Sequence, residues 1–163
     1  MKTKSATQIA LALLGFTATN LATAAGPEVA YPEGYRDWHH VKSMVIEEGH
    51  PLHQAFGGIH HIYANDRALQ GYRGATFPDG AVIVFDLLQA VHAEHSITEG
   101  PRKVVGVMHK DAARFSATGG WGFEGFAGGD PASPVVGDNA ASACFACHMP
   151  QAPQDYTFSR LRE

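Results

Sequence analysis

The chain contains only two cysteines, Cys144 and Cys147, and a histidine, His148, directly follows the second. This C-x-x-C-H spacing is typical of the attachment site of a c-type haem. The two thiols become thioethers on the two haem vinyl groups, and the adjacent histidine becomes the proximal iron ligand. The motif therefore predicts one covalently bound haem c per chain, with His148 on the metal and no thiol left over for a disulfide.

Two other uses of a C-x-x-C pair remain open at this point. A redox motif of this kind usually opens a helix within an early βαβ unit, whereas this pair lies near the C-terminus. A zinc site would need a second Cys or His pair at ligand spacing, and none is obvious in the sequence. Haem c explains the adjacent histidine as well, so it is the interpretation carried forward.

Residues 1–25 have the composition of a secretory signal peptide. Lys2 and Lys4 provide a positive region, residues 9–16 are a short apolar core, and Ala22-Thr23-Ala24 is a small-residue cleavage signal. The apolar run is shorter than the ~20 residues that cross a bilayer, although an uncleaved anchor stays open. We therefore expect residues 26–163 to form one haem c domain in a bacterial periplasm, with no membrane span after cleavage.

The net charge of the predicted mature chain limits the kinds of partner that it can bind. Without Lys2 and Lys4, ten basic residues face sixteen acidic ones. An excess of acidic residues disfavours binding to nucleic acid and to anionic membrane surfaces. Neither partner is expected.

Hydrophobic periodicity and turn residues predict an α+β fold, mainly an antiparallel sheet with a few short helices and a C-terminal haem-bearing helix. Small helical cytochrome c domains carry their haem motif near the N-terminus and do not fit this order. Strands are predicted at 41–46, 58–63, 81–91, 102–109 and 121–126. Helices are predicted at 32–38, 66–72 and 140–148, with Asn65 as the N-cap of the second, a helical turn at 111–116 and a loop at 127–139.

Several short segments, in this order and spacing, resemble the cytochrome P460 family, which includes the cytochromes c′-β. They are PEGYRDW (32–38), IHHIY (59–63), FPDG (77–80) with the strand after it, KDAARF (110–115), GWGF (120–123), the C-x-x-C-H motif and DYTFSR (155–160). The resemblance implies a β-rich haem c domain, usually a homodimer, with a five-coordinate iron and an open distal face.

The family divides on one residue of the strand after FPDG. Its hydroxylamine-oxidising members carry a lysine there that is cross-linked to the haem edge, but this chain has Phe85 and no lysine between Lys42 and Lys103. Cytochromes c′-β cover the distal face with two phenylalanines, and Phe56 and Phe85 match those positions. Periodicity alone would make Phe85 an ordinary core residue of a buried strand.

An apolar distal face indicates which ligand the iron takes. Bound O₂ gains from a hydrogen-bond donor, whereas NO binds iron strongly without one, so such a face favours NO. We therefore expect NO capture, buffering or detoxification, with any turnover depending on an unidentified redox partner and with catalytic residues unknown. Hydroxylamine oxidation is the alternative. A simple electron-transfer cytochrome would need a strong sixth ligand, and no methionine is well placed.

Three further positions stay open in the sequence. His60 falls where the oxidising members carry a distal arginine, so it could be a polar distal group or a sixth ligand, but a solvent-facing strand histidine is favoured. Glu124 could be a distal acid, although this is disfavoured. The aromatic residues of 121–126 fit either the core or a dimer interface.

Overall fold

The computed structural model describes residues 28–162, so the predicted signal peptide lies outside the described residues. These residues form a five-stranded antiparallel sheet in which every strand pairs with its neighbour in sequence, in the order β1-β2-β3-β4-β5. Short helices connect or flank the strands, which confirms the predicted α+β fold. The strands are β1 His39–Ile46, β2 Gly58–Ala64, β3 Val82–Ala93, β4 Ser96–Lys110 and β5 Trp121–Ala127.

The hairpin of β3 and β4 is longer than the sequence predicts. Pairing continues to Ala93 opposite Ser96, and the two turn residues, Glu94 and His95, both have positive φ angles. The sequence prediction started this strand only at residue 102. Pro101 is accommodated because it falls in a register irregularity between the two strands, where a missing N–H costs no regular ladder bond.

Both faces of the sheet are covered by apolar side chains. Side chains alternate along β3, so Ile83 and Phe85 point to one face, which we call the first face, and Val84 and Asp86 point to the second face. The first core, on the first face, consists of Val41, Ile62, Ala64, Ala68, Phe77, Ala81, Ile83, Trp121 and Phe123. The second core consists of Val29, Tyr35, Val84, Val105, Val107, Phe115 and Phe126.

The aromatic residues of β5 belong to these cores. Trp121 and Phe126 are 0 % exposed and Phe123 is 5 % exposed within a single chain. Of the two roles left open by the sequence, the core role is the correct one, and these side chains leave no apolar area for a dimer interface.

Three helical segments matter for the site, and α1, His53–Phe56, was not predicted. The second, α2, spans Asp66–Arg73 and begins, as predicted, at the Asn65 cap, whose side-chain oxygen accepts a hydrogen bond from the Ala68 N–H. The predicted C-terminal helix is a π-helical stretch, Ala141–Phe145, followed by α3, Ala146–His148, and a 3₁₀ segment, Met149–Gln154. No helix within residues 28–162 is long and apolar enough to cross a bilayer.

Candidate functional site

The C-x-x-C-H segment packs against the first core. Cys144 is partly buried and contacts this core together with Phe145, whereas Cys147 is exposed, and both thiols are free. The Phe145 ring lies 5.3 Å from the Tyr156 ring and 6.4 Å from the Phe123 ring. Aromatic contacts therefore hold this helical segment against β5 and against the chain that follows it.

His148 is held in one orientation. Its Nδ1 lies 2.7 Å from the backbone carbonyl oxygen of Tyr156. A carbonyl can only accept, so Nδ1 carries the proton and the lone pair is on Nε2, as in histidines that ligate metals. The rings of Phe123 and Phe158 flank the imidazole at 5.1 and 5.0 Å. Burial lowers the pKa of His148 and the Tyr156 hydrogen bond partly opposes that shift, which favours the neutral form.

The two predicted distal phenylalanines contact each other. Phe85, on the first face of β3, packs against the same first core as Cys144, and the Phe56 ring at the end of α1 meets it edge-on at 5.7 Å. Phe56 is 39 % exposed. The Phe56–Phe85 pair therefore forms an aromatic wall on the first face, while its role toward iron stays a prediction.

His60 does not face solvent, so the favoured sequence interpretation is wrong. It is 6 % exposed, and its ring lies against that of Phe85, inclined by 34° with the centroids 4.7 Å apart. Its Nδ1 is buried without a hydrogen-bond partner in the described part of the chain. Burial, reinforced by the charge of His61, lowers the pKa of His60 to about 4. The sequence did carry a signal for this burial, since His60 and the apolar Ile62 lie on the same side of the strand. That side is covered because β2 is an internal strand with both faces covered.

His61 projects to the opposite face, as strand alternation predicts. Its Nδ1 lies 2.6 Å from the Ser43 hydroxyl, and its Nε2 lies 2.7 Å from Glu99 Oε1. His61 therefore takes no part in the aromatic wall.

The charged side chains of Glu124, Arg102 and Lys103 make structural contacts. The Glu124 carboxylate accepts the backbone N–H groups of residues 125, 136 and 137, so it fastens a loop to β5. Arg102 binds Asp86 through Nε at 2.6 Å. Lys103 donates to the carbonyl of Gly57 at 2.7 Å and thereby ties down the chain next to Phe56.

Gly106 leaves a gap in the first face beside the aromatic wall. Phe85 pairs with Gly106 on β4, and a Cβ added at Gly106 would lie 3.5 Å from Cβ of Phe85. Gly106 pairs in turn with Gly125 on β5, but Val135 packs over Gly125, where an added Cβ would lie 3.2 Å from a valine methyl group. A planar macrocycle can approach the backbone closely at an uncovered glycine such as Gly106. Sequence reasoning missed Gly106, because the cross-strand register alone places it beside Phe85.

These features fit a haem. A neutral imidazole offers Nε2, two free thiols precede it at the attachment spacing, and aromatic rings and Gly106 line the sheet face on which the segment packs. His148 would ligate the iron, Cys144 and Cys147 would hold the ring edge, and the bound iron would supply an open site for a small ligand. The fold and site together define a haem cytochrome built on an antiparallel sheet.

Comparison with protein families agrees with this class. The Cytochrome P460 family model matches residues 32–159, and the chain belongs to the cytochrome P460 family. This confirms the family resemblance and the expectation of haem. No curated protein matches the chain.

Proposed function

We propose that this protein is a periplasmic mono-haem cytochrome of the c′-β type that binds nitric oxide. Its haem is attached through Cys144 and Cys147, its iron is held by His148, and Phe56 and Phe85 cover the distal side. The observation that carries this proposal is the Phe56–Phe85 contact, an apolar wall where the oxidising members of the family have a lysine.

The chemistry of this wall favours NO. Two aromatic rings exclude water and offer no strong hydrogen-bond donor, so a polarised iron–dioxygen unit gains little from them. NO is nearly apolar and binds without such help. The ferric protein should therefore be five-coordinate and high-spin, and the ferrous protein should bind NO readily and resist forming a stable O₂ adduct.

Replacing Phe85 tests the proposal. Phe85→Ala opens the distal side, so NO association with the ferrous protein, measured by stopped flow, should accelerate. Phe115→Ala removes a ring that is more deeply buried than that of Phe85, but it belongs to the second core, on the other side of the sheet, so the NO rate should stay unchanged. An unchanged rate in Phe85→Ala, or the same acceleration in Phe115→Ala, would contradict a distal cap made by Phe85.

The alternative function is oxidation of hydroxylamine, and His60 is the observation that favours it. This reaction needs groups that handle protons next to the substrate. A buried neutral imidazole with an unpartnered Nδ1 lies against the ring of Phe85 and could accept such protons. The absence of a lysine at position 85 argues in the other direction, because the family's cross-link cannot form there.

Mass spectrometry and turnover separate the two functions. Tryptic haem peptides should carry only the two thioether bonds, and the protein should not oxidise hydroxylamine when an electron acceptor is supplied. A third covalent link to the haem, or turnover that His60→Leu abolishes, would favour the alternative.

A further inference from the structure

The backbone that orients His148 is strained. Asp155 and Tyr156 are consecutive residues with φ angles of 48° and 63°, and neither is glycine. This left-handed region is costly for residues with a side chain, and it persists only where the surrounding contacts enforce it. The Tyr156 carbonyl that accepts the His148 N–H comes directly from this strained pair.

A buried ion pair enforces the conformation. Lys110 Nζ lies 2.6 Å from Asp155 Oδ1, and the two residues are 8 % and 9 % exposed. The other carboxylate oxygen, Oδ2, accepts the Phe77 N–H at 2.7 Å. The indole N–H of Trp121 donates to the Asp155 carbonyl oxygen at 3.0 Å. Both the side chain and the backbone of Asp155 are therefore tied to the first core.

The Tyr156 side chain is held as well. Its ring packs over Gly119, where an added Cβ would come within 2.3 Å of a ring carbon, so only glycine admits the ring there. Lys110 also donates to the Gly119 carbonyl at 3.1 Å. The ammonium group of Lys110 thus fixes both Asp155, which precedes Tyr156, and Gly119, on which the Tyr156 ring packs.

We propose that the buried Lys110–Asp155 pair is a positioning device for the proximal ligand. It holds the Tyr156 carbonyl against Nδ1–H of His148, and this hydrogen bond increases electron donation from Nε2 to the iron. Stronger donation stabilises the ferric state and lowers the reduction potential. The inference rests on the proposed role of His148 and is independent of the ligand bound on the distal side.

Asp155→Asn in the haem-loaded protein tests this inference. Asparagine tolerates the left-handed conformation and keeps an acceptor, so the change mainly removes the charge that Lys110 binds. We expect the midpoint potential to rise and the iron–histidine stretching band of the ferrous protein to move to lower frequency in resonance Raman spectra. Lys110→Arg, which keeps the charge, should remain closer to wild type than Lys110→Met.

Asp86→Asn is the matched control. Asp86 is 2 % exposed and paired with Arg102, but the pair lies on the second face and makes no hydrogen bond to the chain around His148. Its loss should lower stability while leaving the potential and the Raman band at wild-type values. A shift of the same size in Asp86→Asn would mean that loss of any buried ion pair has this effect, and would overturn the inference.

Trp121→Phe decides the question if Asp155→Asn fails to load haem. It removes the indole N–H that donates to Asp155, together with the larger ring that lies 5.0 Å from Lys110 Nζ, and it keeps the Lys110–Asp155 pair, so a smaller shift in the same direction is expected. The inference would be overturned if whichever of the two variants loads haem has the midpoint potential and the iron–histidine band of the wild type. Loss of the iron–histidine band in His148→Gly tests the ligand assignment separately.

Discussion

The two cysteines of the C-x-x-C-H segment lie in different surroundings. Cys144 packs against the first core, where burial raises the pKa of its thiol, and Cys147 is exposed to solvent. Cys147 is therefore open to approach from solvent, whereas Cys144 is reached only from the side next to the first core. If haem is attached as proposed, Cys144 would hold the edge of the ring nearer the sheet and Cys147 the edge nearer the solvent.

Removing both thiols should abolish covalent attachment without abolishing haem binding. Cys144→Ala with Cys147→Ala leaves His148 and its Tyr156 hydrogen bond in place, so the native protein should still take up added haem. Haem staining after denaturing electrophoresis should then be lost, while wild type retains it. Haem that stays with the double variant through denaturation would refute thioether attachment.

His60 should make stability depend on pH. Its pKa is lowered from 6.5 to about 4 in the folded protein, so between these values the unfolded chain binds a proton that the native protein does not. The contribution of His60 to the free energy of unfolding is therefore fully present above about pH 6.5. It falls by up to about 3 kcal/mol as the pH drops toward 4.

Denaturant unfolding of wild type and His60→Leu across this pH range measures the effect. His60→Leu should flatten the profile, and His53→Gln, at an exposed position, should not. If the free energy of unfolding depended on pH in the same way in wild type and in His60→Leu, His60 would not be buried as a neutral group.

The site was only partly predictable from residues. Cys144, Cys147 and His148 lie within five consecutive residues, so a spacing rule finds them and the structure only adds their surroundings. The burial of His60 depends on β3 pairing with β2 and on Phe85 covering its ring, which are contacts between segments distant in sequence. The alternation of His60 with Ile62 places both residues on one side of the strand, but only the strand pairing shows that this side is covered.

At the scale of elements, Asn65 joins a helix to a strand. Its side-chain oxygen accepts the N–H groups of Ala68, in the first turn of α2, and of Val82, at the start of β3, and its side-chain nitrogen donates to Gly80. Asn65→Ala leaves all three groups without this partner. The free energy of unfolding should fall by about 1–2 kcal/mol or more.

Urea denaturation compares this variant with Asn139→Ala. Asn139 is exposed and makes only a single 3.3 Å side-chain contact to Val136, so its loss should change stability little. Equal stability of Asn65→Ala and wild type would mean that water replaces the three hydrogen bonds at no cost.

The elements themselves were more predictable than the site. All five strands and α2 were found, because alternating apolar residues and the Asn65 cap are local signals. The extension of the β3–β4 hairpin was missed because residues 92–101 are mainly polar, and β pairing rather than hydrophobicity defines them. The short helix α1 buries none of its residues and has no side-chain cap, so no local signal marks it.

At the scale of the whole molecule, we expect a homodimer. The aromatic residues of β5 cannot form its interface, because they are buried within one chain. Exposed apolar side chains lie instead on the edge strand β1, at Met44 and Val45, and near the hairpin tip, at Val91 and Ile97. Light scattering of the haem-loaded protein should give twice the mass of the processed chain. A constant monomer mass throughout a micromolar concentration series would contradict this expectation.

The neighbour-to-neighbour pairing of the strands has a consequence for the order of events during maturation. A sheet that pairs only consecutive strands closes shorter loops than one with crossovers between distant strands, and all five strands precede residue 128. If the chain is exported N-terminus first, as the proposed periplasmic location requires, its strands can pair before Cys144 emerges. Covalent attachment of haem, as proposed, would then take place on the segment after the sheet, with the paired strands already in place beside it.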